Sequence, residues 1–457
     1  MILRQRKPTS RLAALRLCWR LSLLLWVIAG PAILLVRWSE VRGIWNAPKL
    51  SSPVVGLESD DWGTDYDAAR FVAADSELDA RQAEAVPRMV SLLRSHRDSI
   101  GRPPIISAFV VVGHPDVKAI LDDDRDRYHW LPLDQAMPRA VAALKAAVSA
   151  GVFEVDYHGR DHRDGNLWAA RLREAARTYL AQGKPFDPNV ASTFETDDPR
   201  QVDELVAEYF DSRTMHLGEL NCGQIEQKLA EGLAEFERIF RKRATGTVAP
   251  RYLWGPTAET SWLAHDLRVV HGINRQRGPA AVTGSLQQRL FGFRTETGLF
   301  GVPRNVDIEP RTVRSATSVR DTMDAIRKAV RTGQPAVIST HAWGYYHPDK
   351  AVREAMFRDL DAVMSAIERE YPELRYFSAE ELGQIAQTGQ RKGSGATETQ
   401  GNLVATGLRH AWLSGRCVYS AIPVLTAWLW GGLGLLLLGV VLALTPRVWQ
   451  RMVTRTG

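Results

Sequence analysis

Two adjacent carboxylates, Asp60 and Asp61, stand in the segment ESDDWG, directly after the apolar run VVGL. Neighbouring anions repel each other and cost free energy to desolvate, so either a cation or a solvent-exposed turn must accompany them. A second cluster, HGRDH, places His158 and His162 four residues apart. That spacing puts both imidazoles on one face of a helix, an arrangement that two nitrogen ligands of a metal can adopt. A third polar residue, His341, follows the apolar run AVIST. Each cluster alone is as compatible with a solvated loop as with a site.

Strand-like apolar runs alternate with helical patterns through the middle of the chain. The runs are VVGLESDD, IISAFVVVG, FEVDYHG, TVAPRYLW, GVPRNVDIEP, PAVISTH and LRYFS. Alternation of this kind predicts parallel strand pairing in an α/β fold, either a barrel or a doubly wound sheet. In such barrels the loops that follow the strands build the site. Because the three polar clusters all fall at strand ends, we expect the fold to bring them together.

Two helices are clearly marked, and one insertion interrupts the alternation. Residues 318–332 begin with a serine N-cap, carry an aspartate in the first turn and end at a glycine. Residues 350–370 repeat apolar side chains along one helical face. A charged, mostly helical stretch occupies about 166–243. It predicts a lid or a packing layer and not a separate domain.

The order of these motifs resembles that of the polysaccharide deacetylases, the NodB-homology or carbohydrate esterase family 4 group. That family has an Asp-Asp motif on its first strand, then His-x-x-x-His, then an aromatic and proline motif, and finally a late His after a strand. Here ESDDWG, HGRDH, APRYLWGP and ISTHAW stand in that order. The resemblance covers about residues 54–385 and is to an outlying branch. It implies a distorted (β/α) barrel with a helical insertion.

The resemblance also implies a role for each matched residue. Asp61, His158 and His162 would ligate a divalent metal, most often zinc in that family. Asp60 would be the general base and His341 the general acid. A metal held by one carboxylate and two imidazoles keeps coordination positions open for water and a substrate oxygen. Such a cation would also offset the repulsion between the two aspartates.

The third motif departs from the family pattern. The family usually has an arginine before the prolines that pairs with the base, whereas valine and alanine precede Pro250 here. Arg251 is the nearest replacement. Trp254 and Trp343 could stack on a sugar ring, although aromatic residues after strands are as often core packing. The segment RNVDIEP, from Arg304, ends another strand and either shapes the cleft or forms an ordinary salt-bridged loop.

Long uncharged runs occur near both ends of the chain. Residues 21–38 contain LSLLLWVIAGPAILLV after a basic segment, 1–20, and predict a transmembrane helix. A cleaved signal peptide is the competing interpretation, but no clean small-x-small cleavage site follows. Residues 419–445 contain TAWLWGGLGLLLLGVVLAL, which is long enough to cross a bilayer. The tail, 446–457, is basic, so the positive-inside rule places both termini in the cytoplasm.

The catalytic domain is predicted at 50–385, on the outer side of the inner membrane, and a polar, glycine-bearing linker at 386–410. The formal net charge of +6 does not indicate nucleic-acid binding, because the basic excess lies beside the membrane spans. Of the 3 cysteines, Cys18 and Cys417 lie in segments next to the predicted spans, which leaves Cys222 alone in the middle of the chain and excludes a disulfide framework.

These features predict a membrane-anchored, metal-dependent deacetylase that acts on acetylated sugars of a cell-surface or exported polysaccharide. Its partners would be the glycan, the bilayer and the envelope polysaccharide machinery. One alternative, suggested by the altered third motif, is a catalytically inactive relative that binds glycan or assembles a complex. Another is a different metal-dependent amide hydrolase of the cell wall, although HGRDH lacks the glutamate of the zinc-protease HExxH motif.

Overall fold

Strands and helices alternate along the chain, so the predicted α/β class is confirmed. The computed structural model describes residues 48–64, 76–123, 125, 127–187, 208–210, 218–273, 290–309 and 318–389, which belong to a compact unit at 47–401. The strands are β1 (Val54–Trp62), β2 (Ile106–Val110), β3 (Gly113–Pro115), β4 (Trp130–Pro132), β5 (Phe153–Tyr157), β6 (Gly246–Val248), β7 (Val269–Ile273), β8 (Phe293–Arg294), β9 (Phe300–Arg304), β10 (Val306–Asp307), β11 (Ala336–His341) and β12 (Arg375–Tyr376).

The helices cover the sheet and form the insertion. They are α1 (Ser76–Leu93), α2 (Val117–Asp122), α3 (Leu133–Ala136), α4 (Pro138–Ser149), α5 (Gly165–Ala181), α6 (Cys222–Phe240), α7 (Pro256–Ala264), α8 (Val319–Arg331), α9 (Trp343–Tyr346), α10 (Lys350–Glu370) and α11 (Ala379–Thr388). The two helices that the sequence marks most clearly are confirmed as α8 and α10. Ser318 caps α8 through the backbone N–H of Asp321, and α10 buries its apolar face.

The main sheet runs in the order β10–β11–β1–β2–β5–β6–β7–β9–β8, and β12 adds to β1. All of its pairings are parallel except that of β8 with β9. Asn305, between β9 and β10, donates its backbone N–H to the carbonyl of Val337 at 3.2 Å, and its side-chain oxygen accepts from the Val337 N–H at 3.0 Å. One continuous segment therefore bonds to β7 on one side and to β11 on the other. This double pairing closes the sheet into a barrel.

Strand β1 pairs with β11 on one side and with β2 on the other. Its residues are buried on both faces, because one face fills the interior and the other meets the helices. Two charged residues, Glu58 and Asp60, nevertheless stand on this strand and are 0% and 2% exposed. Buried carboxylates require partners of opposite charge or hydrogen-bond donors, which the site below supplies.

The segments predicted to span a membrane, 21–38 and 419–445, lie outside the described residues, as do the two tails. Within the described part of the chain, no helix is both long and apolar enough to cross a bilayer. The predicted linker, 386–410, lies outside it as well, except at its start. There α11 continues to Thr388 and ends at Gly389 in the left-handed conformation.

Candidate metal centre

Three side chains converge at one edge of the barrel. An oxygen of Asp61 lies 3.2 Å from Nε2 of His158 and 3.2 Å from Nε2 of His162. One donor atom from each residue falls within 4.8 Å of the others. A carboxylate oxygen and two imidazole nitrogens form the donor set of many zinc sites with open coordination positions. The residues expected to ligate a metal therefore form a candidate metal-binding group.

A bent loop, and not a helix, brings the two histidines together. His158 follows β5 directly, and residues 158–163 form a loop without helical hydrogen bonding. The expectation that the two imidazoles share a helical face is therefore wrong. His162 has φ +53° and Asp61 has φ +65°, both in the left-handed region that side chains other than glycine rarely adopt. Backbone strain of this kind concentrates at functional sites, where the surrounding structure maintains it.

Hydrogen bonding orients His158 towards Asp61. Its Nδ1 lies 2.9 Å from the carbonyl oxygen of Val248, which can only accept, so Nδ1 carries the proton and donates it. In the protonated imidazole Nε2–H also donates to Asp61, whereas in the neutral imidazole Nε2 would offer its lone pair to the site, as a metal ligand requires. Burial acts to raise the pKa of Asp61, but the His162 charge and hydrogen bonds from both imidazoles hold it well below its ordinary value. The carboxylate is therefore ionised, as a ligand must be.

Asp60 points into the barrel, where Arg304 pairs with both of its oxygens. Nη2 of Arg304 lies 2.7 Å from one oxygen, and Nη1 binds the other. Burial acts to raise the pKa of Asp60, but the charges of Arg304 and His158 lower it below its ordinary value. Arg251, proposed from the sequence as the partner of the base, is exposed. This is a correction: the guanidinium that pairs with Asp60 comes from the end of β9.

A buried polar layer lies beneath this pair. Nε of Arg304 donates to Glu58 at 2.6 Å, and Nδ1 of His271 lies 2.8 Å from the other oxygen of Glu58. Nη1 of Arg304 also lies 3.3 Å from the Tyr252 hydroxyl. Sequence reasoning assigned no role to His271, because β7 was not among the predicted strands. Its segment VVHGI, rich in β-branched residues, is the signal that could have found it.

His341 lies beside Asp60 across the β1–β11 pairing, where the two residues are in register. Its Nδ1 lies 2.6 Å from a carboxylate oxygen of Glu309. Burial acts to lower the pKa of His341, but the charge and hydrogen bond of Glu309, with the charges of Asp61 and Asp60, raise it to about 10. The imidazole is therefore protonated at neutral pH. Glu309 belongs to the RNVDIEP segment, whose position at a strand end is the sequence signal for it.

The two tryptophans occupy different environments. Trp254 is 2% exposed, donates Nε1–H to Glu259 at 3.0 Å and packs against Trp262. It is part of the core and presents no face to a sugar, so its expected stacking role is wrong. Trp343 begins α9, two residues after His341, and is half-buried with its ring 6.0 Å from that of His347. Of these two tryptophans, Trp343 is the one that keeps exposed surface.

Comparison with known proteins found no matching family model and no matching curated protein. Similar solved structures include a family 4 carbohydrate esterase from Streptomyces lividans, with 11% identity over 75% of this chain and 97% of that chain, at a TM-score of 0.33. They include a family 4 acetyl xylan esterase from Clostridium thermocellum, with 11% identity over 73% and 91%, at 0.32. A family 4 pseudoenzyme from Bacillus anthracis has 11% identity over 73% and 66%, at 0.34. The structural neighbours thus include both esterases and a pseudoenzyme of carbohydrate esterase family 4, all at low sequence identity.

Proposed function

We propose that this protein is a metal-dependent hydrolase that removes acetyl groups from a glycan. The observation that carries the proposal is the meeting of three units at one edge of the barrel. These are the Asp61, His158 and His162 group, the Asp60–Arg304 pair and the His341–Glu309 pair, and together they join segments that are far apart in the sequence. The separate charge partners of the last two units support two distinct roles in proton transfer.

Asp60 is the proposed general base. Its position next to Asp61 in the chain would put it within reach of water bound at the centre, and Arg304 keeps it ionised and oriented. A divalent cation such as Zn²⁺, when bound to the three ligands, would supply Lewis-acid activation of the acyl carbonyl and of a water molecule. Asp60 would then accept the proton of the attacking water.

His341 is the proposed general acid. Glu309 keeps the imidazole protonated and fixes the orientation of Nδ1, which leaves Nε2–H to donate. The leaving group, an amine or an alkoxide, would take that proton as the carbonyl–heteroatom bond breaks. A base kept ionised and an acid kept protonated at the same pH form the arrangement that acyl transfer to water requires.

We place this domain outside the inner membrane, tethered by the segments 21–38 and 419–445, with both termini in the cytoplasm. Tethering would raise the effective concentration of the domain on a polysaccharide that is assembled or exported at the same surface, beside the machinery that makes it. Support comes from the uncharged runs and the basic residues that flank them. Protease accessibility of the domain in intact and permeabilised cells tests this placement, and digestion only after inner-membrane permeabilisation would contradict it.

The test of the site begins with metal content. Elemental mass spectrometry on the purified full chain should find a near-stoichiometric divalent metal that is lost in a His158→Ala, His162→Ala double variant. His265→Ala is the matched control, because Nε2 of His265, at the C-terminal end of α7, also lies against a carboxylate, that of Glu226 on α6. A folded wild-type protein that takes up no metal when divalent ions are supplied would rule out the hydrolase.

The non-catalytic alternative is separated by Asp60→Asn. Its supporting feature, the missing arginine of the third motif, is weakened because Arg304 pairs with Asp60 instead. In the hydrolase, Asp60→Asn should retain the metal and lose turnover of an acetylated sugar or a chromogenic acetyl ester. Metal binding in both proteins without turnover in either would favour the glycan-binding function.

A further inference from the structure

The helical insertion reaches the metal centre through one buried carboxylate. Glu208, Tyr209 and Phe210 are each 0% exposed. The Tyr209 ring packs against Trp262, and the Tyr209 carbonyl accepts the backbone N–H of Leu220 at 2.8 Å. This short segment is therefore anchored in the core of the domain. A fully buried carboxylate in such a segment must be stabilised by donors.

Those donors are two backbone amides of the ligand loop, defined as residues 158–163. The N–H of Arg160 donates to one oxygen of Glu208 at 2.8 Å, and the N–H of His162 donates to the other at 3.0 Å. His162 is one of the three candidate metal ligands. Glu208 thus binds the backbone of a ligand residue directly, through charge-assisted hydrogen bonds, which are stronger than neutral ones.

The loop is shaped to admit this carboxylate. Gly159 has φ +100°, and a Cβ at that position would lie 2.1 Å from Oε2 of Glu208. On the opposite side, the carbonyls of Gly159 and Arg160 accept from the N–H groups of Val112 and Gly113. The ligand loop is therefore fixed by the barrel through its carbonyls and by the insertion through its amides.

Side chains of the loop strengthen the same connection. Arg160 donates to the adjacent Asp161 from Nε at 2.9 Å and from Nη2 at 2.6 Å, and its Nη1 binds Glu231 of α6. Lys228 of α6 lies 3.6 Å from the same Asp161 oxygen. The insertion therefore contacts the ligand loop through both the 208–210 segment and α6. Among the described residues of the insertion, Glu208 is the one that hydrogen-bonds to the backbone of a ligand residue.

We propose that Glu208 is a positioning residue that holds the ligand loop in its metal-binding conformation, so that the insertion sets the metal affinity of the centre. The left-handed conformation of His162 is unfavourable for a side-chain-bearing residue, and the bond from Glu208 to its N–H stabilises it. This inference rests on the proposed metal-dependent function. It adds a role for the insertion, which contributes none of the three candidate ligands.

The test is Glu208→Gln in the full chain, with Zn²⁺ affinity measured by competition with a chromophoric chelator. The amide can accept one of the two bonds but turns its NH₂ group towards the other N–H. We expect Zn²⁺ to bind about 10–100-fold more weakly, as for other groups that orient metal ligands. Glu208→Asp keeps the charge but is one methylene shorter, and it should bind Zn²⁺ with an affinity between those of the wild type and Glu208→Gln. This second variant provides the test if the glutamine variant does not fold.

Glu219→Gln is the matched control. Glu219 also belongs to the insertion and accepts backbone N–H bonds, from Gly255 at 2.8 Å, Thr257 at 2.8 Å and Ala258 at 2.9 Å, at the start of α7. Glu219→Gln should lower the melting temperature of the metal-free protein and leave its Zn²⁺ affinity unchanged. Equal loss of affinity in both variants would mean a general structural role and overturn the proposal.

Wild-type Zn²⁺ affinity in a folded Glu208→Gln or Glu208→Asp variant would overturn this inference and leave the proposed hydrolase intact. Failure of the wild-type protein to bind any divalent metal would overturn both. Affinity is measured without substrate, so the result does not depend on which glycan is used. The two failures are therefore distinguishable.

Discussion

Replacing Arg304 by methionine tests the charge arrangement inside the barrel. The guanidinium donates to Glu58 and to both oxygens of Asp60, and the three side chains are 0–3% exposed. Methionine keeps much of the side-chain volume but removes the charge, which leaves two carboxylates buried without their cation. Removing one partner of a buried ion pair costs about 3–5 kcal/mol. That is a large part of the roughly 5–15 kcal/mol by which a domain is stable.

The contribution of Asp60 to the pH dependence of stability should also change sign. In the wild type, Arg304 and His158 outweigh burial and lower the pKa of Asp60. The carboxylate therefore stabilises the fold above its unfolded pKa of about 3.9, and this contribution is lost as pH falls through the lower folded value. In Arg304→Met, we expect burial to outweigh the remaining charges of His158 and His341 and to raise the pKa of Asp60. The variant should become more stable as pH falls from about 8 to about 5, because protonation then relieves a buried charge.

Urea unfolding of the chelator-treated full chain across this pH range is the measurement. Arg327→Met is the control, since Arg327 also donates to two carboxylates, Glu370 and Asp324, but is 40% exposed. Arg327→Met should lower the free energy of unfolding much less than Arg304→Met does, because solvent screens exposed pairs. It should also leave the slope of that free energy against pH unchanged. Arg304→Lys, which keeps a charge, should recover part of the loss. If Arg304→Met had the same free energy of unfolding as the wild type and the same dependence of that free energy on pH, the reasoning would be refuted.

Three further predictions concern the acid and the tryptophans. Glu309→Gln should lower the pKa of His341 from about 10 towards its ordinary value, measured by NMR titration of the imidazole in the metal-free chain. The stabilisation due to this pair, complete below the unfolded pKa and lost as pH rises through about 10, should shrink accordingly; an unchanged titration would contradict it. Trp254→Ala should cost about 3–5 kcal/mol of unfolding free energy, as for other buried large side chains, and a small loss would place it outside the core. Trp343→Ala should raise KM with little change in stability, and an unchanged KM would exclude stacking on the substrate.

The candidate ligands and the two residues proposed for proton transfer could be located from the sequence because their signals are local. Each follows an apolar run, and parallel strands in a closed sheet end at the same edge. This rule brings Asp61, His158 and His162 together without knowledge of any contact, and it places His341 beside Asp60. The same local reasoning failed for the loop that carries the histidines. A spacing of four residues is typical of two side chains on one helical face. A loop with His162 in the left-handed conformation also brings the two imidazoles together.

The partners of the buried charges were decided by the tertiary structure. Arg304 is 244 residues from Asp60 along the chain, and it reaches Asp60 because β9 and β10 close the barrel between β7 and β11. Glu208 bonds to the ligand loop 46 residues before it in the chain, across an insertion whose path the sequence leaves open. Apolar periodicity and turn residues determine which segments are strands and where they end. A buried carboxylate requires a cation or donors, but register and closure determine which side chain or backbone group meets it.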